Sequence, residues 1–370
     1  MSEERFDAIV VGGGLAGLAA AYTMAQGGLE VLLVERGTSC GSKNVTGGKL
    51  CTHSIEKVFP EFANTAPVER RILTERIRSW SGIETTDASI DPESQGISRS
   101  ASYSVIRQKL DSWLAEQAEE AGAMMINGIV INDLIVRDGA VCGVIADGEE
   151  MESDVVILAE GMNGLLAQKI GMIPELSPEA TCVGTKEVIE LGEDVINERF
   201  GLQNGEGVEL MYLGDREKGV YADGFLYTNK SSVSVGIEFL ISDIDNTDKN
   251  VPEMLEDFKS LPEIRTYIEG GKLIEYAAHL VPKGAPARLP KLCGDGVLLA
   301  GDTAGLVANF GWVVRGMDLA IESGRLAAEA VIRAKEKGDF SAGELASYQK
   351  AVEGSFIASD MKICHDYFNK

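Results

Sequence analysis

Short apolar runs and amphipathic segments follow one another through the first part of the chain. The runs at residues 8–11 and 31–34 are continuous, which is typical of buried strands. An Ala-rich segment from residue 18 to about residue 26 lies between them and predicts a helix. Residues 110–121 carry apolar side chains at helical spacing, and residues 152–158 form another apolar run. Strands that alternate with helices predict an α/β fold with a parallel sheet.

The pattern changes in the middle of the chain. Runs with alternating polar and apolar positions occur at residues 181–189, 224–228 and 232–239, and short helical patterns occur at residues 193–200 and 251–259. This arrangement predicts a separate antiparallel sheet, which is inserted into the first unit as a second domain.

Composition and charge narrow the classes of partner. The chain has 370 residues and a net charge of −24, from 58 acidic and 34 basic residues. The acidity, without a basic cluster, argues against nucleic acid and against broad docking on anionic lipid, although a local apolar patch could still touch a membrane. The N-terminus has no signal-peptide pattern, and no apolar run has the length of a transmembrane helix. We therefore expect a cytoplasmic protein, with room for peripheral contact at the inner face of the cell membrane.

The cysteines and histidines offer little for metal or acid–base chemistry. The six cysteines are scattered and form no C-x-x-C pair, so we expect no metal or iron–sulfur site within this chain. Three histidines leave little material for a proton relay. The sequence therefore assigns no side chain a catalytic role.

The strongest chemical motif is the glycine-rich turn after the first strand, D-A-I-V-V-G-G-G-L-A-G, from Asp7 to Gly17. Gly12 permits a tight turn, Gly14 lets the backbone approach a pyrophosphate, and Gly17 lets the helix press on the strand. The second strand ends at Glu35, whose carboxylate can accept both hydroxyls of a ribose. The spacing predicts a dinucleotide-binding βαβ unit, and an ordinary glycine-rich turn is the alternative.

Three later segments could bring further groups to the same nucleotide. The polar loop of residues 37–50 contains Gly47 and Gly48, whose backbone could approach a ring system; a plain surface loop is the alternative. Arg107 precedes a helix, where a guanidinium could meet a phosphate, but such an arginine alone is more often solvated. Asp302 follows Gly301 at the end of a strand and could bond a polyol hydroxyl, or the pair could simply form a turn.

The chain contains no second G-x-G-x-x-G motif. A flavoprotein disulfide reductase would need another such unit for NADPH. One dinucleotide, held at several distant places in the sequence, indicates FAD rather than a nicotinamide cofactor.

Together, these motifs resemble the glutathione-reductase-like FAD fold in its hydroxylase branch. Longer segments, which span nearly the whole chain, are similar to the FixC family, the flavoprotein–quinone oxidoreductase relatives of electron-transfer flavoprotein dehydrogenase. These segments are K-N-V-T-G-G (43–48), S-Y-S-V-I-R (102–107), G-F-L-Y-T-N (224–229), V-P-E-M-L-E-D-F-K (251–259), G-G-K-L-I-E-Y-A-A-H (270–279) and N-F-G-W-V-V-R-G-M-D-L-A-I (309–321).

The resemblance implies an FAD-dependent oxidoreductase that takes electrons from an electron-transfer flavoprotein (FixA/FixB-like) and passes them to quinone. A ferredoxin-like partner, FixX, would carry the iron–sulfur cluster on a separate chain. Phe310, Trp312 and Arg315 would lie near the flavin ring, although Phe310 and Trp312 could equally be core residues. Carried over by position, the cofactor-binding residues would be Gly12, Gly14, Leu15, Ala16, Gly17, Glu35, Arg36, Lys43, Asn44, Gly47, Gly48, Arg107, Gly161, Gly301, Asp302, Asn309 and Gly311.

One motif departs from the family pattern. The family has Asp–Gly at its third FAD motif, whereas this chain has Glu160-Gly161. The longer side chain could shift a cofactor contact, and we expect its role to be that of holding a turn.

The implied architecture is an α/β fold in which a Rossmann-like FAD-binding domain carries an inserted antiparallel-sheet substrate or quinone domain. The first would comprise residues 1–75, 103–175 and 285–335, the second residues 176–284, and a C-terminal helical segment residues 336–370. Two alternatives stay open. One is a single-component FAD monooxygenase or an isoprenoid-lipid (geranylgeranyl) reductase of the same fold, and the other is a non-catalytic FAD-binding subunit.

Overall fold

A computed structural model of the chain describes residues 5–43, 48–80, 85–86, 101–215, 217, 219–284, 289–309 and 314–368. In chain order, its strands are β1 (Arg5–Val11), β2 (Val31–Glu35), β3 (Gly48–Cys51), β4 (Val68–Ser79), β5 (Thr85–Thr86), β6 (Ser102–Val105), β7 (Met124–Asn127), β8 (Asp133–Arg137), β9 (Ala140–Ala146), β10 (Glu149–Leu158), β11 (Thr181–Glu190), β12 (Glu206–Leu213), β13 (Ala222–Thr228), β14 (Ser232–Leu240), β15 (Lys272–Pro282), β16 (Cys293–Gly294), β17 (Val297–Leu299), β18 (Ala308–Asn309) and β19 (Val314–Arg315).

The helices are amphipathic or Ala-rich segments that cover the sheets. They are α1 (Leu15–Gln26), α2 (Ile55–Val58), α3 (Phe62–Thr65), α4 (Arg107–Glu120), α5 (Leu165–Lys169), α6 (Glu193–Phe200), α7 (Val251–Lys259), α8 (Pro262–Ile268), α9 (Met317–Lys337), α10 (Ala342–Glu353) and α11 (Phe356–Phe368), with 3₁₀ turns at Ile241–Asn246 and Gly301–Ala304. Within the described ranges, no helix has both the length and the apolar character needed to cross a membrane.

The first sheet has the strand order β16-β17-β10-β1-β2-β7, and β9 and β8 extend it from the beginning of β10. Strands β17, β10, β1, β2 and β7 run parallel. Residues 8–11 of β1, 31–34 of β2 and 155–158 of β10 are buried, because helices lie against them, and this explains their continuous apolar sequence. The predicted α/β fold class is confirmed.

The second sheet has the order β15-β11-β14-β13-β12-β4-β6-β3, with β5 beside β4. Neighbouring strands are antiparallel except for the parallel pair β12 and β4. One face of β12, β13 and β14 packs on α6, α7 and α8 around a second apolar core. The alternate positions of the same strands point to the opposite face, which is more polar.

The elements follow the sequence pattern closely, with differences at their ends. The helices α6 and α7 have the predicted bounds, while α1 begins three residues before the predicted start and includes Gly17 of the glycine-rich motif. Strands β8 and β9 form a hairpin, and its turn residues Asp138 and Gly139 have φ values of 51° and 84°. These values fit the two-residue turn that a D-G pair favours.

The second sheet uses more of the chain than residues 176–284. Its strands β3, β4 and β6 come from segments that the sequence analysis assigned to the FAD-binding domain. The pattern did not separate them, because a short strand has the same alternation whichever sheet it joins. The domain boundaries therefore stay a prediction, whereas the membership of the two sheets is an observation.

The two long helices α1 and α9 cross at very close range. Gly324 of α9 lies against the backbone of Ala16 in α1, and a Cβ atom at Gly324 would collide with the Ala16 carbonyl oxygen. This contact holds α9 close to the turn that follows β1. Since the colliding atom is backbone, it cannot swing aside as a flexible side chain would.

We predict that Gly324→Ala lowers the free energy of unfolding by about 1–3 kcal/mol, because overpacking a fixed contact costs that much. Urea or thermal unfolding followed by circular dichroism would measure it. The matched control is Gly343→Ala in α10, where the site is exposed and an added Cβ atom would have its nearest neighbour 3.7 Å away. Gly343→Ala should be neutral or stabilising. Equal stability of the two variants would contradict the close crossing.

Candidate functional site

A cavity of about 380 Å³ is lined by residues from both sheets. Most of the predicted cofactor-binding residues meet at its wall, although they come from distant parts of the sequence. They are Gly12, Gly14, Leu15, Ala16, Glu35, Arg36, Lys43, Gly48, Arg107, Gly161, Gly301, Asp302 and Asn309.

The glycine-rich turn forms one wall of this cavity by close approach of backbone to backbone. Gly12 has a φ of 109°, and a Cβ atom there would collide with the carbonyl oxygen of Ala159, which follows β10. A Cβ atom at Gly17 would in turn collide with the Gly12 carbonyl oxygen. Gly17 therefore shapes the turn from behind and does not line the cavity. The space beside the turn is left to a ligand.

The N-terminus of α1 opens into this space. Gly14 is the N-cap residue, and no side chain in the described residues caps the helix. The first N–H groups of a helix lack intrahelical partners and carry a partial positive charge. A pyrophosphate group fits such a position, since it supplies both the acceptors and the negative charge.

Glu35 ties the end of β2 to the turn. Its carboxylate accepts hydrogen bonds from the backbone N–H of Gly13 at 2.7 Å and from that of Gly37 at 2.6 Å. Each carboxylate oxygen can accept a further bond. Glu35 is therefore held at the cavity wall with acceptor capacity left for the hydroxyl groups of a ribose.

Arg107 and Asp302 bring opposite charges to the cavity. The Arg107 guanidinium donates twice to Asp111, with both bonds at 2.8 Å, and Asp111 is fully buried at the side chain. Burial works against the charge of Arg107, but the pair with Asp111 holds the pKa of the guanidinium above its ordinary value. Burial raises the pKa of Asp302, and the charge of Arg107 opposes that rise. A ligand hydroxyl group that donated a hydrogen bond to Asp302 would therefore stabilise its buried carboxylate.

Glu160, the departure from the family pattern, caps a helix. Its carboxylate accepts from the backbone N–H of Leu166 at 2.9 Å and of Ala167 at 3.1 Å, at the start of α5. Burial raises the pKa of Glu160, while these two bonds oppose the rise. The expectation that Glu160 holds a turn is confirmed.

The second sheet supplies a wall that the sequence analysis did not identify. The residues share one face of the sheet, and they include charged and aromatic side chains: Gly184, Lys186, Met211, Asp223, Phe225, Tyr227, Glu238, His279 and Val281. The sequence signal that could have identified this wall was the alternation of polar and apolar residues within the strands. In β13, for example, Asp223, Phe225 and Tyr227 alternate with core positions, and a charged residue at a regular strand position marks the face away from the core.

Two ionisable groups of this wall have strongly displaced pKa values. Burial lowers the pKa of Lys186 to about 7, with Arg107 adding to the shift and Glu275 opposing it. Burial raises the pKa of Glu238 to about 7, and the charge of Asp223 adds to that rise. Both groups can therefore change protonation state near neutral pH.

Some predicted residues are not placed at the cavity. Asn44, Gly47 and Gly311 lie outside the described residues, as do Phe310 and Trp312. Arg315 forms ion pairs with Asp318 and, at 2.8 Å, with Asp360 of α11. Its side chain links three elements beside the cavity.

Comparison with known proteins identifies relatives over almost the whole chain. Residues 7–203 match the family model of glucose inhibited division protein A. The chain is 47% identical over 362 residues to the probable electron transfer flavoprotein-quinone oxidoreductase YdiS of Escherichia coli (strain K12). This match covers 98% of this chain and 84% of YdiS. It is 48% identical over 355 residues to protein FixC of the same strain, covering 95% of this chain and 82% of FixC.

The fold is also similar to solved structures. A geranylgeranyl bacteriochlorophyll reductase-like protein from Thermoplasma acidophilum superposes with a TM-score of 0.79 over 98% of this chain and 86% of that chain. Their sequences are 21% identical, so this likeness concerns the fold alone. The family match supports FAD as the cofactor of this chain.

We predict that Asp302→Ala weakens FAD binding about 10–100-fold, because a hydrogen bond to a charged group contributes roughly 1.5–3 kcal/mol. Visible flavin absorbance of the purified protein and quenching of flavin fluorescence on titration of the apoprotein would measure the affinity. The control is Asp245→Ala, which removes an exposed carboxylate from the 3₁₀ turn after β14. Unchanged FAD occupancy in Asp302→Ala would count against this position as a cofactor contact.

Proposed function

This chain belongs to the FixC family, and we propose that it carries electrons from an electron-transfer flavoprotein to a quinone through FAD bound in the cavity. The chain is an FAD-dependent electron-transfer oxidoreductase. The donor and the acceptor are the proposal, and the observation that carries them is the 47% identity, over 98% of the chain, to a relative whose name includes both.

The structure's own geometry supports the place of the cofactor. The N-terminus of α1 and the turn at Gly12 and Gly14 would hold the pyrophosphate, and Glu35 would hold the adenosine ribose. Arg107 and Asp302 would bind polar groups farther along FAD. The flavin ring would then face the wall formed by the second sheet, where aromatic and ionisable side chains meet.

Bound FAD supplies the redox chemistry, since flavins accept and return one or two electrons. The protein's part is to hold the cofactor, exclude water and keep the ring accessible to partners. In our proposal, a separate ferredoxin-like chain, similar to FixX, takes part in the electron transfer. The protein works at the cytoplasmic face of a membrane that holds the quinone. The net charge of −24 favours a small or local membrane contact over a broad one.

We predict that Glu35→Ala weakens the binding of FAD and of ADP alike, because the lost carboxylate would serve the adenosine half that both ligands share. Competition between ADP and FAD for the apoprotein, followed by flavin fluorescence, would measure both affinities. Glu35→Gln is the matched variant and should keep part of the affinity, since its amide oxygen still accepts hydrogen bonds. Normal binding of both ligands by Glu35→Ala would place the adenosine elsewhere.

The proposed donor is tested by anaerobic titration of the FAD-loaded protein, followed by its visible absorbance. We expect reduced electron-transfer flavoprotein to bleach the flavin, and NADH or NADPH at the same electron equivalents to leave it oxidised. A soluble quinone added afterwards should restore the absorbance.

Direct bleaching by a nicotinamide cofactor would overturn the proposal and point to a monooxygenase or a lipid reductase of the same fold. A flavin that no donor reduces would point to a non-catalytic FAD-binding subunit.

A further inference from the structure

Lys186 occupies an unusual position on the cavity wall. It is 4% exposed and lies in the middle of β11, on the face of the second sheet that lines the cavity. Its Nζ atom is 5.3 Å from the centroid of the Phe225 ring and 5.8 Å from that of the Tyr227 ring. These rings stabilise a cation that burial would otherwise disfavour.

A glycine in the neighbouring strand makes room for the Phe225 ring beside this side chain. Gly236 of β14 is paired with Lys186, and a Cβ atom at Gly236 would collide with the Phe225 ring, which covers it. Two residues before Lys186 in β11, Gly184 is paired with Glu238 of β14 and with His279 of β15. Glu238 is paired in turn with Asp223 of β13, so the row crosses four strands. A row of ionisable groups therefore runs beside Lys186 on the same face.

Charged and titratable groups face this region from every element around the cavity. They are Glu35 of β2, Arg36, Lys43, Lys49 of β3, Arg107 of α4, Glu160 after β10, Asp223 and Tyr227 of β13, Glu238 of β14, Glu275 and His279 of β15, and Asp302 of the 3₁₀ turn after β17. Of these, Arg107 and Glu275 act directly on the pKa of Lys186, in opposite directions.

The proposed reaction needs a proton source at this place. A quinone becomes a quinol by taking up two electrons and two protons, so that each carbonyl oxygen gains a hydrogen. Bound FAD would supply the two electrons and one proton, and the second proton would come from a group in the cavity or from solvent.

We propose that Lys186 is the redox-linked proton site of this cavity, and this inference rests on the proposed function. Its ammonium group gives one proton to the reduced acceptor, becomes an amine, and takes up a proton again when the next electrons enter the cavity. The charge that the electrons bring and the proton that Lys186 binds compensate each other, so the cavity avoids an isolated buried charge.

The direction of the coupling follows from the charges. Burial, with the charge of Arg107, lowers the pKa of Lys186 to about 7. Electrons in the cavity add negative charge and raise the pKa of the ammonium group. Below about pH 7 the lysine is protonated in both redox states, whereas above that pH reduction is accompanied by proton uptake.

The test is the midpoint potential of the FAD-loaded protein as a function of pH, from about pH 6 to about pH 9, measured by anaerobic spectroelectrochemistry. One extra proton for two electrons steepens the dependence by about 30 mV per pH unit, the value of a tenfold change for a two-electron couple. We expect the wild type to be steeper than Lys186→Met by up to this amount above pH 7, and parallel to it below.

Lys186→Arg is the second variant, because it keeps the charge and most of the length of the side chain but does not lose its proton in this range. The midpoint potential of Lys186→Arg should depend on pH as weakly as that of Lys186→Met, but its value should be higher. Lys186→Arg replaces Lys186→Met in the comparison if the Met variant fails to retain FAD. The control is Lys272→Met, an exposed lysine at the start of β15, which should keep the wild-type curve.

Two results would overturn the inference. One is the same slope in the wild type and in both Lys186 variants. The other is loss of the steep segment in Glu238→Gln but not in the Lys186 variants, which would make the carboxyl group the proton site. The donor titration stands apart from both, because potentials can be measured with chemical mediators. Failure of electron-transfer flavoprotein to reduce the flavin would refute the proposed function. It would not change what the pH dependence of the midpoint potential shows about Lys186.

Discussion

Close contact between backbone segments around the β1–α1 turn is the constraint on which the site depends. Gly12 approaches Ala159 after β10, Gly17 approaches Gly12, and Gly324 of α9 approaches Ala16. Each contact excludes a side chain, and together they bring two strands and two helices to one point. Because the backbone itself fills the space behind the turn, the exposed N–H groups face the cavity, where an anionic group can bind them.

The parallel sheet and the core of the cofactor site could be predicted because their signals are local. A continuous apolar run, a glycine-rich turn and an acid at the end of the next strand lie within about thirty residues in a βαβ unit of this kind. Arg107 and Asp302 were more distant candidates, and each had an ordinary alternative explanation in the sequence. The structure brings them to the same cavity wall as Gly12 and Glu35, which no spacing in the sequence indicates.

The wall formed by the second sheet could not be predicted in the same way. Lys186, Glu238 and His279 lie on three strands, and only the register between those strands places them on one face. Pattern reasoning found the strands but not their register, since register depends on contacts between segments far apart in the chain. The same limit explains why β3, β4 and β6 were not recognised as part of this sheet.

The pairing of β4 with β12 also bears on how the chain reaches its native state. These parallel neighbours are separated by more than a hundred residues, and the strands of the second sheet come from both sides of the segment β7–β10, which belongs to the first sheet. Contacts of such long sequence separation close late, because the loop entropy must be overcome before the pairing contributes. During synthesis, the edge of β4 that pairs with β12 therefore stays open until β12 has emerged, and unpaired edges are where chains associate wrongly. Because the strands of the two sheets alternate along the chain, we expect the sheets to fold as one cooperative unit.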